Sequence, residues 1–288
     1  MTLESSLDIV LSGSAGYLGS LVQKGLIANG FKVTTLDNRD KDNPVDLSDS
    51  NSFSALEFPR KYLFIHLAFL LPGTKSKKNF NKEIQQINLN IVKNLHPERT
   101  LLISSTAVYA LSKKQMHVAP WEIYGQTKLA TENFFLKNLA NLTIFRPGTL
   151  VEARRKSMMM KFLIQLRRSP FPILPSNGEF YHPFTYTPHL VQSIIDWAKH
   201  QDKSNGIYNL VAQNPITLKQ ICEMKPRGKI LANIRFPVSL FRIMGSDKIP
   251  VFGISKWHFN ALTYNLENMD NNLYNSENTR YETIFKQL

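Results

Sequence analysis

The sequence has a single cysteine in 288 residues, Cys222, which excludes an internal disulfide and any multi-cysteine zinc site. No stretch approaches the ~20 apolar residues of a membrane-spanning helix. The opening MTLESSLDIVL has neither the basic segment nor the long apolar run of a secretory leader. The expectation is a soluble protein of the cytoplasm. Acidic residues are scarce, with 22 Asp and Glu against 35 Lys and Arg, a formal charge of +13. That excess suits an acidic partner: nucleic acid, anionic lipid or a phosphorylated small molecule. The seven histidines show neither HxxxH nor HExxH spacing, and His66 lies inside an apolar run, so no metal is expected. The three tryptophans and ten tyrosines form no array beside basic residues, so a stacking platform for nucleic acid is not expected either. What remains is ordinary globular composition, 43% hydrophobic and 20% charged, enough for one large or two modest domains.

Short apolar runs alternate with longer amphipathic ones through the first half of the chain. Leu7–Ser12, Phe31–Leu36, Tyr62–Phe69, Thr100–Ser104 and Leu142–Arg146 read as buried strands. Tyr17–Ala28, Glu83–Leu95 and Tyr124–Leu139 read as the helices between them. Strands separated by helices of ten or more residues imply a parallel sheet with right-handed crossovers, a doubly wound α/β domain over residues 1–150. After Pro147 the rhythm breaks. Pro188–His200 still reads as a helix and Gly206–Val211 as a strand, so about 183–212 is expected to return to the first domain, the rest of 151–288 forming a second. The tail Asn265–Glu277 is polar and rich in asparagine.

The glycines between the first strand and the first helix are spaced GxxGxxG (Gly13, Gly16, Gly19), not GxGxxG. A turn without Cβ atoms lets the backbone approach a pyrophosphate, and the following helix N-terminus offers free N–H groups. Asp37, at the end of the second strand, is placed to accept hydrogen bonds from an adenosine ribose, which favours NAD; Arg39, two residues on, suits the 2′-phosphate of NADP. Tyr124 and Lys128 are four apart, on one helix face. A phenol titrates near 10, and positive charge beside it stabilises the phenolate, so Tyr124 is a candidate acid/base. Ser105, just past the Thr100–Ser104 strand, is placed to bond the same substrate oxygen.

These pieces resemble an extended short-chain dehydrogenase/reductase, in the branch of nucleotide-sugar epimerases, dehydratases and reductases. The likeness runs through GSAGYLG (13–19), Asp37, Val45-Asp46-Leu47, His66-Leu67-Ala68, the serines and Tyr109 of 104–109, YGQTK (124–128) and Phe145-Arg146-Pro147-Gly148, in family order. It implies a Rossmann-type sheet with a smaller C-terminal substrate-binding domain, and a homodimer. It implies Tyr124 as catalytic acid/base, Lys128 as ribose anchor and Ser105 as the group that polarises substrate. Cofactor contacts are implied for Gly13, Gly16, Tyr17, Leu18, Gly19, Asp37, Asp46, Leu47, Leu67, Ala68, Asn88, Tyr124, Lys128 and Pro147. Family dehydratases carry Asp-Glu directly after the Ser/Thr; here Thr106-Ala107 stands there, and alanine cannot exchange a proton. That leaves C4 epimerisation or reduction of a keto-sugar, with Thr106 beside the substrate. Two departures, Val151-Glu152 for the usual Tyr-Gly and Pro188-His189 for an acidic pair, fall where substrate is handled.

The basic segment Arg154–Arg168 has three readings. Arg154 and Arg155 could clamp the diphosphate of a nucleotide sugar, arginine pairing bidentately with phosphate. The apolar Met158–Ile164 between basic ends could instead lie on an anionic membrane as a peripheral contact. The third reading is a core-facing helix with solvated ends. Lys75, Lys77 and Lys78 read as a solvated loop. The rival to an enzyme is a non-catalytic NAD(P)-binding scaffold with a nucleic-acid partner.

Overall fold

A computed structural model describes residues 8–41, 44–54, 56–70, 77–109, 123–152, 157–200, 205–212, 216–224, 234–236, 248–249, 254–255 and 285. Lys75, the segment 153–156 and the asparagine-rich tail lie outside them. The chain opens with strand β1 (Asp8–Ser12), helix α1 (Tyr17–Ala28) and strand β2 (Val33–Leu36). Then come β3 (Tyr62–His66), α2 (Lys77–Asn94), β4 (Arg99–Ile103), α3 (Ile123–Asn138) and β5 (Leu142–Pro147). Further on lie β6 (Thr149–Val151), α4 (Met158–Arg168), β7 (Ile173–Pro175), β8 (Tyr181–His182), β9 (Phe184–Tyr186), α5 (Thr187–Lys199), β10 (Gly206–Leu210), β11 (Ile216–Thr217), α6 (Leu218–Glu223) and β12 (Ile234–Phe236).

The five apolar runs of the first half, joined by β10, make a six-stranded sheet in the order β10-β5-β4-β3-β1-β2. The pairs from β2 through β5 are parallel. Alternation along the strands divides the faces. Val10, Phe64, Leu102 and Ile144 pack with Ile87 and Ile91 of α2 and Phe135 of α3. Thr143, one residue out of phase with Ile144, points the other way and accepts a hydrogen bond from Trp197 Nε1 of α5 at 3.0 Å. Helix α1 packs on α5: a Cβ on Gly25 would lie 2.7 Å from Ile195 Cδ1. Helices therefore cover both faces, as a doubly wound Rossmann-type sheet requires.

The sheet changes direction between β1 and β3, so the loops leaving these strands form a crevice at their carboxyl ends. Strand β3 ends at His66, three residues short of the expected Phe69. The Leu67 N–H donates to Ser12 O, and with the Ala68 N–H also to Ser12 Oγ (3.2 and 3.3 Å), which draws the chain across the end of β1.

Residues Met1–Val108, Ala119–Pro147 and Pro188–Asn209 form one compact unit, and Tyr109–Val118, Gly148–Thr187 and Leu210–Leu288 a second. In the second unit β6 pairs with β9 in parallel, β7 with β12 in parallel, and β8 with β11 antiparallel. Helix α6 begins with a capping box between Thr217 and Gln220. The Ser157 hydroxyl caps α4, accepting from Met160 N at 3.1 Å. Met159, Met160, Phe162, Leu163 and Leu166 of α4 are buried with Leu174, Phe184, Leu218, Ile221 and Cys222. The apolar side of this amphipathic helix is thus used by the unit's own core, as the core-facing reading expects. Arg167 is itself buried and donates to Met224 O at 3.0 Å.

Candidate active site

The glycine turn is built for close approach. Gly13 has φ +77°, and a Cβ there would sit 2.6 Å from the Ala68 nitrogen. A Cβ on Gly19 would sit 2.0 Å from Gly13 O. The first glycine therefore lets the turn meet the loop after β3, and the third lets α1 pack onto the turn. Gly16 is the N-cap of α1; it offers no capping side chain, and the first turn carries no acid. That end of the helix dipole is left to an external anion, the fit a pyrophosphate needs. Asp37 is buried and holds the turn from the end of β2: Oδ2 accepts from Ala15 N at 3.0 Å, and Oδ1 accepts from Arg39 N and Nε at 2.9 and 3.3 Å. Arg39 is turned back onto Asp37, although its side chain is 63% exposed.

The other expected cofactor residues differ in what they touch. Leu67 and Ala68 are half-buried at the turn; Tyr17 is exposed and Leu18 half-buried on α1. Asp46 is exposed, with Oδ1 accepting from Ser48 N and Oγ. Leu47 is buried, and its carbonyl accepts from Asn90 Nδ2 at 3.0 Å. Asn88 is buried and donates to Thr131 Oγ1 at 3.1 Å, tying α2 to α3. Pro147 is buried at the end of β5 and Thr106 just beyond β4. Arg154 and Arg155 lie outside the described residues.

Ser105, Tyr124 and Lys128 come together. The Tyr124 hydroxyl hydrogen-bonds Ser105, whose Oγ also accepts from Ala107 N at 3.2 Å. One helical turn on, Lys128 Nζ donates to Ile103 O at 2.9 Å and stands 6.0 Å from the Tyr124 ring centroid. The Phe69 ring lies across both, 3.8 Å from Nζ to its centroid and edge-on to Tyr124 at 5.5 Å. Beside them Ser104 Oγ is buried with no hydrogen-bond partner among the described residues. Below lies His66 of β3, 2.6 Å from Ser12 Oγ through Nδ1.

The electrostatics run against the expectation that Lys128 brings the phenol down. Burial pushes Tyr124 up to about 12, opposed by its hydrogen bond with Ser105. Burial also pulls the Lys128 ammonium down to about 7, opposed by the negative charge of Glu132. A lysine that has itself become easy to deprotonate does little for a neighbouring phenolate. His66 is held down to about 3, by burial first and by Lys128 second.

Two residues that the sequence reading passed over bear on this site. Glu132, one further turn along α3, is buried and grips Arg146 of β5 through two bonds, Nε to Oε1 at 3.0 Å and Nη2 to Oε2 at 2.5 Å. The signal was present: an arginine at the end of an apolar strand must find a buried partner, and Glu132 is four residues beyond Lys128. Phe69 carried no such signal, since an aromatic residue after an apolar strand reads as more core.

The comparisons agree on the architecture. A family model described as the NAD dependent epimerase/dehydratase family matches residues 9–210. An uncharacterized protein of Sinorhizobium fredii, y4nL, is 24% identical, covering 78% of this chain and 72% of its own. Among solved structures, UDP-glucose 4-epimerase from Thermotoga maritima, crystallised with UDP-glucose, superposes with a TM-score of 0.61 at 17% identity, covering 80% of this chain and 86% of that one. L-threonine dehydrogenase from Phytophthora infestans superposes with a TM-score of 0.68 at 13% identity, covering 97% and 96%. WbmG from Bordetella bronchiseptica, in complex with NAD and UDP, gives 0.62 at 14% identity, covering 91% and 98%. With its glycine turn, buried Asp37 and matched span of 9–210, the chain belongs to the NAD-dependent epimerase/dehydratase family, and its cofactor is NAD.

Proposed function

We propose that the protein acts at C4 of a nucleotide-linked sugar, as an epimerase or a keto-sugar reductase, with Tyr124 as the acid/base. The observation that carries this reading is the contact of Tyr124 with Ser105 at the carboxyl end of β4, with Lys128 one turn away. Gly13, Gly16 and Gly19 would hold the NAD pyrophosphate against α1, Asp37 the adenosine ribose and Lys128 the nicotinamide ribose. The chemistry NAD supplies when bound is a hydride acceptor that becomes a donor, and a positive ring charge while oxidised. Ser105 orients the C4 oxygen by hydrogen bonding, and Tyr124 takes its proton as the C4–H bond breaks. In epimerisation the keto-sugar turns over and Tyr124 returns the proton; in reduction Tyr124 donates only. A phenol near 12 is a poor base, so the reaction needs the positive charge that accompanies the oxidised cofactor. The second unit, with Arg154 and Arg155, would take the nucleotide diphosphate.

The first test is a panel of UDP-, GDP-, CDP- and dTDP-sugars, scored by thermal stabilisation with NAD and then by product stereochemistry. L-Threonine belongs in the panel, because the likeness to the threonine dehydrogenase spans nearly the whole chain. On the substrate found, Tyr124→Phe should cut kcat by about a hundredfold or more while leaving NAD affinity within twofold, the usual scale of lost acid–base catalysis. Unchanged turnover in that variant would end the mechanism. Turnover of L-threonine alone would move the substrate to small hydroxy-amino acids.

A further inference from the structure

Phe69 joins the two parts of the site. The face of its ring meets the Lys128 ammonium, and it stands in T-shaped contact with Tyr124 and, at 6.2 Å between centroids, with Phe80 of α2. Lys128 is 5% exposed; one of its N–H bonds goes to Ile103 O in β4, and the ring covers the ammonium from the loop after β3. The strand carbonyl is fixed by the sheet. Phe69 is half-buried and lies past the last residue of β3, so it is the part of this enclosure that can turn away.

We propose that Phe69 is a displaceable cover on Lys128, which NAD must push aside before the ammonium can bind its ribose, so that this residue sets cofactor affinity. The inference rests on the reading of Lys128 as ribose anchor. While the ring is in place it is part of the burial that draws the ammonium and the phenol toward their neutral forms. Turning the ring outward admits water and ribose hydroxyls to Nζ and restores a full positive charge beside Tyr124. The groups that face Lys128 are Tyr124 and Glu132 on its own helix and His66 from β3, with Arg146 of β5 held on Glu132. As a positioning residue, Phe69 acts through Lys128 and has no chemical role of its own.

The test compares Phe69→Ala and Phe69→Leu with the unaltered protein, reading NAD affinity by calorimetry and the Lys128 titration by NMR on protein isotopically labelled at lysine Cε. Phe69→Ala removes the cover. It should tighten NAD about five- to tenfold, the scale of one desolvated cation–π contact, and raise the Lys128 midpoint by about one pH unit or more. Phe69→Leu keeps an apolar cover without a π face, and serves also if alanine unsettles the loop. It should tighten NAD about threefold and lower the Lys128 midpoint. A ring that merely fills space would not move the two midpoints in opposite directions. Unchanged or weaker NAD binding in the folded variants overturns the proposal and makes Phe69 a fixed wall. The parent reading is tested apart by Lys128→Met: full NAD affinity there removes the anchor itself.

Discussion

At the scale of single residues, the site holds its groups away from the charges they need. Lys128 titrates near 7 in the folded chain against 10.5 when free, so between those values the unfolded chain binds the extra proton. Stability contributed by this group is full above pH 10.5 and is lost as pH falls toward 7. Lys128→Met removes the burden and should stabilise the protein at pH 7 by up to ~4 kcal/mol, an advantage that fades as pH approaches 10.5. Urea unfolding of the two proteins across that window would show it; a constant difference at every pH would mean that Lys128 is not buried as described. Such a gain, bought with loss of cofactor binding, is what a strained functional residue predicts. Tyr124, Lys128 and Ser105 were all legible as motif residues. Their suppressed charges were not, because the burial to which Phe69 adds depends on where the loop turns after β3, and that turn depends on Ser12, distant in sequence, capturing the backbone N–H groups of Leu67 and Ala68.

At the scale of elements, α3 is the part that joins site to scaffold. Its Tyr124 and Lys128 face the site, and one turn on its Glu132 clamps Arg146 at the end of β5. Both members of this pair are buried, so removing one leaves an uncompensated charge. Glu132→Ala should cost about 3–5 kcal/mol, whereas the double variant Glu132→Leu with Arg146→Met should cost less than that single change. Denaturation midpoints for the two decide it; a double variant less stable than Glu132→Ala would mean that the pair contributes net stability. The elements themselves were largely readable, since continuous apolar runs of five or six residues between glycine and asparagine stops leave little choice but a buried strand. Tyr17–Ala28 fell where its spacing placed α1, while β3 stopped early for the reason given above. Beyond Pro147 the described strands other than β10 are two or three residues long, too short for any period to register.

At the scale of the molecule, two units with separate cores divide the proposed labour. Every group expected to touch NAD, from Gly13 to Pro147, belongs to the first unit, as do β10 up to Asn209 and most of α5. The second has its own core around Phe184 and Leu163. The arginines most suited to a diphosphate, Arg154 and Arg155, belong by position to the second unit. This separation makes a prediction for hydrogen exchange. NAD at about a hundred times its Kd stabilises a folded unit by ~2.7 kcal/mol through mass action, and exchange through opening of that unit slows in proportion. NAD alone should therefore protect the amides of β1, α1 and β2 and those of Ala15 and Arg39 in the turns beside them, while those of α4 and α6 exchange at their former rates. Adding the correct nucleotide sugar should then slow α4. Protection of α4 and α6 by NAD alone, to the same extent as α1, would show that the two units open as one and that the division of labour does not hold.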